Sequence, residues 1–214
     1  MIERLPRHTM VAPAPAAWAA LLAARPDLAR EPLLARWASA GYPLVARRPT
    51  CGDPADTIPL GLPLPPAQGK QRIAVGLKPR DIVGSARPPL LRDAAGAAPA
   101  AWQASIAALL RLAPSSRCFG SLAWQHLTGL AYISDSSDLD LLWDLPEGDG
   151  LDPLLDGIAA IERRAPMRID GEILAGARGA NWRELRQEGE EILVKSCSKA
   201  HLISRAQFLA GEQP

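Results

Sequence analysis

Neither sign of charge dominates this chain. Its 24 lysines and arginines stand against 23 aspartates and glutamates, for a formal net charge of +1. No basic surplus exists to neutralise a nucleic-acid backbone, so a nucleic-acid partner is not expected. Cysteine is scarce: Cys51, Cys118 and Cys197 are an odd number, far apart, with no CxxC pair and no histidine at metal-ligand spacing. This argues against a disulfide framework and a zinc centre. Long apolar runs are missing, with nothing near the roughly 20 uninterrupted residues that span a bilayer. The opening MIERLPRHTMVAP is charged and broken by proline where a signal peptide would carry its apolar core. A cytoplasmic protein with no membrane partner is expected. P-loop, GxGxxG and Ser-His-Asp patterns are absent as well, which leaves kinase, dehydrogenase and serine-hydrolase readings without a motif.

What the chain does have is apolar bulk, 48% of 214 residues, enough for one large domain or two small ones. Residues 1–85 read as a compact α+β domain. Helical spacing appears at Trp18, Leu21 and Leu22 and again at Leu33, Leu34 and Trp37, with Gly41 placed to stop the second helix. Extended pieces follow at 42–47, 57–60 and 71–77, punctuated by prolines that suit sheet edges or a small barrel. Lys70 and Arg72 are expected on one strand face, as a positive surface for substrate phosphates or an acidic carrier protein, or simply as a solvated face. A Pro-, Gly- and Ala-rich stretch from 84 to 99 marks the boundary, with 86–99 as linker and 100–214 as the second domain.

In that second domain Trp102, Ile106, Leu109 and Leu110 give one apolar helix face, ending before Pro114. A short strand at 117–119, a turn at Gly120-Ser121, a helix over about 122–130, a polar loop at 134–137 and a strand at 138–143 come next. Asp152 as cap and Pro153 in the first turn begin another helix, with Leu154, Ile158 and Ile161 on its buried side. After Pro166 the strand MRIDGEI follows, then a glycine-rich turn at 176–179, a helix start at 181–187, a strand EILVKSC at 191–197 and a last helix over 199–209.

The chemistry concentrates in DLDLLW. Side chains of a strand alternate faces, so Asp138 and Asp140 project together while Leu139 and Leu141 pack behind. Paired carboxylates repel unless a cation lies between them, and a hard divalent ion such as Mg²⁺ is the usual one. The plain alternative is a solvated strand end. In MRIDGEI, Asp170 falls on the polar face and completes a three-carboxylate cluster if the two strands are neighbours, with Glu172 as the fallback. Gly120 lets backbone approach a ligand, and the Ser121 hydroxyl with the amides opening the next helix suits a phosphate. Lys195 is either a contact for leaving pyrophosphate or a solvated strand end. His126 and Trp124 read as helix and core residues.

The order Gly-Ser, helix, Asp-Leu-Asp, helix, third acidic strand resembles the nucleotidyltransferase superfamily that includes DNA polymerase β. The longer wording GSLAWQHLTGLAYISDSSDLDLLW, with PLVARRP, IPLGLPLPP, RIDGEI and ILVKS, resembles the phosphoribosyl-dephospho-CoA transferases of malonate decarboxylase, its holo-acyl-carrier-protein synthases. The resemblance implies an α+β protein of two domains, with a C-terminal polymerase β-like core whose mixed sheet is flanked by helices. It further implies transfer of the prosthetic group from triphosphoribosyl-dephospho-CoA to a serine of the malonate decarboxylase acyl carrier protein. Pyrophosphate would leave and two Mg²⁺ ions would be held by Asp138, Asp140 and Asp170. Two other readings stay open: a nucleotidyltransferase acting on a small molecule, nucleic acid or another protein, and a non-catalytic binding module on the same fold.

Overall fold

The computed structural model describes residues 5–187, 189 and 191–211. It divides into two compact units, Met1–Arg87 and Pro88–Pro214, and both are mixed α+β.

The first unit holds β1 (Met10–Pro13), α1 (Pro15–Ala23), α2 (Pro26–Ala29), α3 (Pro32–Ala35), β2 (Leu44–Ala46), β3 (Ile58–Pro63), β4 (Arg72–Leu77) and β5 (Ile82–Ala86). The strands form one antiparallel sheet in the order β4-β3-β2-β1-β5. Each helix carries proline in its first turn, where the missing N–H costs nothing and the fixed φ is already helical. The same prolines keep the second expected helix short, since Pro32 starts a new turn instead of continuing one. Trp18 and Trp37 anchor the core, fully buried with Leu34, Leu44 and Leu60. Their indole N–H groups donate to Leu34 O at 2.7 Å and Pro43 O at 3.0 Å. Strands β1 and β5 were not expected from the sequence. Lys70 also differs from expectation. It occupies a left-handed turn (φ 56°) after Gly69, outside β4, so it shares no strand face with Arg72; both side chains are exposed.

The second unit begins earlier than the composition implies. Residues 88–99 are packed, not a free linker: Leu90 bridges to Arg117, and Leu91 and Ala94 of α4 (Leu91–Ala94) are buried. Then come α5 (Gln103–Leu112), β6 (Arg117–Cys118), α6 (Gly120–Thr128), β7 (Leu139–Asp144), α7 (Leu151–Glu162), β8 (Ile169–Ala175), β9 (Arg178–Asn181), α8 (Trp182–Arg186), β10 (Ile192–Lys195), β11 (Ala200–Ile203) and α9 (Arg205–Leu209). The six strands make one mixed sheet, β11-β10-β9-β8-β7-β6. Among the described residues only β7 and β8 are paired in parallel, an arrangement that needs a crossover connection, here through α7. Leu139, Leu141 and Trp143 of β7 and Ile169 and Ile173 of β8 are buried on one face, and the acidic residues alternate onto the other. Helix α7 opens one residue before the expected cap: Gly150 is the N-cap and Asp152 lies inside the first turn.

The expected last helix over 199–209 is instead a hairpin strand followed by a short helix. Ser196 closes the β10–β11 turn, its hydroxyl accepting from Ser198 N and Lys199 N. Ser204 then starts α9 with a reciprocal capping box to Gln207. Leu202 is 60% exposed on β11. Among the described residues no helix is long and apolar enough to cross a membrane.

Candidate active site

Parallel pairing of β7 with β8 sets Asp140 directly opposite Asp170. Residues in register on adjacent strands project to the same face, about 4.8 Å apart along the hydrogen-bonding direction. The two carboxylates are therefore neighbours, contributed by strands far apart in sequence, and both are half-buried. Asp138 sits one residue before β7. Its backbone neighbour Leu139 N donates to Arg168 O at 2.9 Å, and Arg168 Nη1 lies 3.8 Å from Asp138 Oδ2. That separation is too long for a hydrogen bond, and the pair is partly exposed at both ends. As placed, Asp138 turns to Arg168 and does not close on the other two. Among the described residues no three His, Cys, Asp or Glu side chains are grouped to hold a metal ion. In place of the expected three-carboxylate cluster, Asp140 and Asp170 stand in register and Asp138 lies beside Arg168.

Helix α6 meets this pair at its N-terminus. It opens at Gly120, two residues earlier than expected, and ends with Gly129 in the left-handed conformation. Phe119 N donates to Asp140 O at 3.0 Å, which lays the first turn of the helix across β7. Gly120 has φ +62°, and a Cβ there would fall 1.8 Å from Asp140 Oδ2. Only glycine admits the carboxylate at this point. The amides of the first helical turn lack intrahelical partners and carry the positive end of the helix dipole, so they offset the negative charge gathered at Asp140. Ser121, the next residue, is half-buried in that turn.

The loop from α6 to β7 is tied down by polar side chains. Gln125 Oε1 accepts from Tyr132 N at 3.0 Å and Ile133 N at 3.1 Å, and Ser137 Oγ accepts from Ser134 N at 2.9 Å. His126 is exposed and Trp124 is buried.

Asp170 is held from its own side of the sheet. Its Oδ1 accepts from Gly171 N at 2.9 Å and from Asn181 Nδ2 at 3.0 Å. Asn181 ends β9, opposite Glu172, and also caps α8 through Arg183 N. The sequence marked the start of a helix here but gave no sign of β9, and it is the β8–β9 hairpin that carries the Asn181 amide to Asp170. Glu172 shares the acidic face but is only 4% exposed, and Lys195 Nζ donates to its Oε1 at 3.2 Å. The two side chains meet over Gly179, where a Cβ would fall 2.7 Å from Glu172 Oε2. Lys195, expected at a leaving group or in solvent, is thus placed on Glu172. On the opposite face of the sheet, burial pushes the Cys118 thiol up to about 12, with the Asp140 and Asp93 charges adding to the effect. The thiol stays protonated and is no nucleophile.

Comparison with known proteins covers both units. The family model described as phosphoribosyl-dephospho-CoA transferase MdcG, N-terminal domain, matches residues 6–88, and the corresponding C-terminal domain model matches residues 90–206. A Bradyrhizobium diazoefficiens protein named phosphoribosyl-dephospho-CoA transferase is 42% identical over 210 residues, covering 96% of this chain and 92% of the relative. A Xanthomonas euvesicatoria protein of the same name is 38% identical, covering 82% of this chain and 85% of its own length. One from Pseudomonas putida is 32% identical, covering 78% and 80%. No solved structure matches the chain.

Proposed function

The chain belongs to the phosphoribosyl-dephospho-CoA transferase family, and on that premise we propose that it joins this group to the malonate decarboxylase acyl carrier protein. The donor is triphosphoribosyl-dephospho-CoA and the acceptor a serine hydroxyl of the carrier. The serine oxygen forms a bond to the α-phosphorus as the bridging P–O bond to the β-phosphate breaks. Pyrophosphate leaves with that electron pair, and the hydroxyl proton is released towards Asp170. The observation that supports this reading most is the Asp140–Asp170 pair in register beneath a helix N-terminus cleared of side chain at Gly120.

The residues present fit a divalent cation. Mg²⁺ is commonly bound by one or two carboxylates completed by substrate phosphates, and a cation relieves the repulsion between Asp140 and Asp170. These two residues would hold the ion, and Asp138, released from Arg168, would serve a second. When bound, such ions stabilise charge on the transferring and leaving oxygens. The chain's own contribution is placement. Asp170, held at Oδ1, orients the incoming hydroxyl. The first turn of α6, with the Ser121 hydroxyl, receives phosphate oxygens of the donor. Lys195 keeps Glu172 charge-balanced next to the pair. Lys70 and Arg72, exposed in the first unit, offer positive charge to the donor's phosphates or the carrier's acidic surface.

The test is intact-mass spectrometry of apo carrier protein after incubation with enzyme, Mg²⁺ and the triphosphate. A mass gain equal to the prosthetic group on the serine is expected. An unmodified carrier, with nucleotide transfer from ATP to another acceptor, would replace this reading with a different nucleotidyltransferase.

A further inference from the structure

Asn181 makes two contacts that no single substitution reproduces. Its Oδ1 accepts from Arg183 N at 2.9 Å, the capping bond of α8, and its Nδ2 donates to Asp170 Oδ1 at 3.0 Å. The amide orientation is fixed at both ends, because a backbone N–H can only donate and a carboxylate can only accept. The following residues grip the same strand position. Trp182 Nε1 donates to Ile169 O at 3.1 Å, and Arg183 Nη1 donates to the same oxygen at 3.0 Å while its Nη2 also binds Glu162. Three successive residues thus fasten Ile169 and Asp170 to α8. A cap alone needs only an acceptor, which Ser, Thr or Asp supplies equally well. The donor half of the amide is additional, and it is spent on Asp170.

From this arrangement, and resting on the function proposed above, we infer that Asn181 is a positioning residue. It occupies one oxygen of Asp170 and thereby sets the rotation at which the other oxygen meets the cation and the incoming hydroxyl. Among the described residues only Asn181 and Gly171 N donate to Asp170, and both go to Oδ1. Without the amide only Gly171 N remains on Oδ1, and the carboxylate gains freedom to rotate relative to Asp140. Hydrogen bonds made to metal-binding side chains from outside the ligand set typically govern about tenfold to a hundredfold in metal affinity.

The decisive variant is Asn181→Ser, which keeps an oxygen to cap α8 but is too short to reach Asp170 as well. Three measurements are made on the full chain: melting temperature, Mn²⁺ binding by calorimetry, and steady-state kinetics with carrier protein, which give kcat and KM. A melting temperature close to wild type is expected, together with Mn²⁺ binding weakened about tenfold to a hundredfold. Falling kcat with an unchanged KM for the carrier is expected alongside. Should Asn181→Ser prove unstable, Asn181→Thr gives the same comparison with a different capping hydroxyl. Wild-type Mn²⁺ affinity and kcat in a stable variant would overturn the inference alone. A wild-type chain that neither binds Mn²⁺ nor modifies the carrier would overturn the reading beneath it, and the inference with it.

Discussion

Replacing Gly120 by alanine tests the site at its narrowest point. Two costs are separable. The first is conformational: φ is +62°, and an L-residue in the left-handed region costs about 1–2 kcal/mol. The second is steric. The new Cβ would fall 1.8 Å from Asp140 Oδ2 and 2.7 Å from Asp140 Cγ, where real Cβ contacts are not found under 3.0 Å. Either the Asp140 side chain rotates away from Asp170 or the first turn of α6 lifts. Each is a displacement of roughly 1 Å, in the range that costs about a hundredfold in rate. Gly129, at the other end of the same helix, is the control. Its φ is +70° but nothing lies within 4 Å of its would-be Cβ, so Gly129→Ala carries the conformational cost alone. Urea unfolding should show about 1–2 kcal/mol lost in Gly129→Ala, and a further 1–3 kcal/mol or so in Gly120→Ala from overpacking. The transfer assay should show a near-normal rate for the first and a loss of about a hundredfold for the second. If Gly120→Ala transfers as fast as Gly129→Ala, the Asp140 carboxylate does not work from its place against Gly120.

Other parts of the molecule give independent tests. Lys195→Ala removes the cation from a buried Glu172, and because Lys195 is itself 28% exposed the loss should be on the order of 2–3 kcal/mol, below the full cost of breaking a buried pair. An unchanged urea midpoint would return Lys195 to a role outside stability. Cys51 is exposed and should be alkylated quickly at pH 8, whereas Cys118 should resist until the chain unfolds; rapid native labelling at Cys118 would contradict its burial. The same thiol links stability to pH. Its folded value is raised, so the contribution is intact below 9.0 and is lost as pH rises towards about 12, at up to roughly 1.4 kcal/mol per pH unit. Cys118→Ala should flatten that alkaline slope.

Local pattern carried some of this molecule and pairing carried the rest. Alternation in DLDLLW and RIDGEI was enough to find β7 and β8 and to put their aspartates on a polar face, because each is long enough to show a period of two. Helix α7 was equally legible from Leu154 and Ile158. Strands β1, β5, β9 and β11 were not, being held in place by their neighbours' hydrogen bonds. Their loss had consequences at the site. Missing β9 hid the route from Asn181 to Asp170 and the closure of Lys195 onto Glu172. The placement of Asp138 beside Arg168 is not legible either, for it depends on a tertiary neighbour brought in by the strand pairing. The conformational freedom of Gly120 is legible in the sequence, but that an Asp140 oxygen fills the space left by its missing Cβ emerges only from the packing of α6 on β7.

The most direct measurement is single-turnover modification of apo carrier protein, followed by mass, with wild type, Asp140→Asn and Asp170→Asn side by side. Both variants should fold and should slow transfer by at least about a hundredfold, the usual scale for losing a group that stabilises developing charge. Wild-type transfer by either variant would contradict the claim that these two neighbouring carboxylates form the reaction centre.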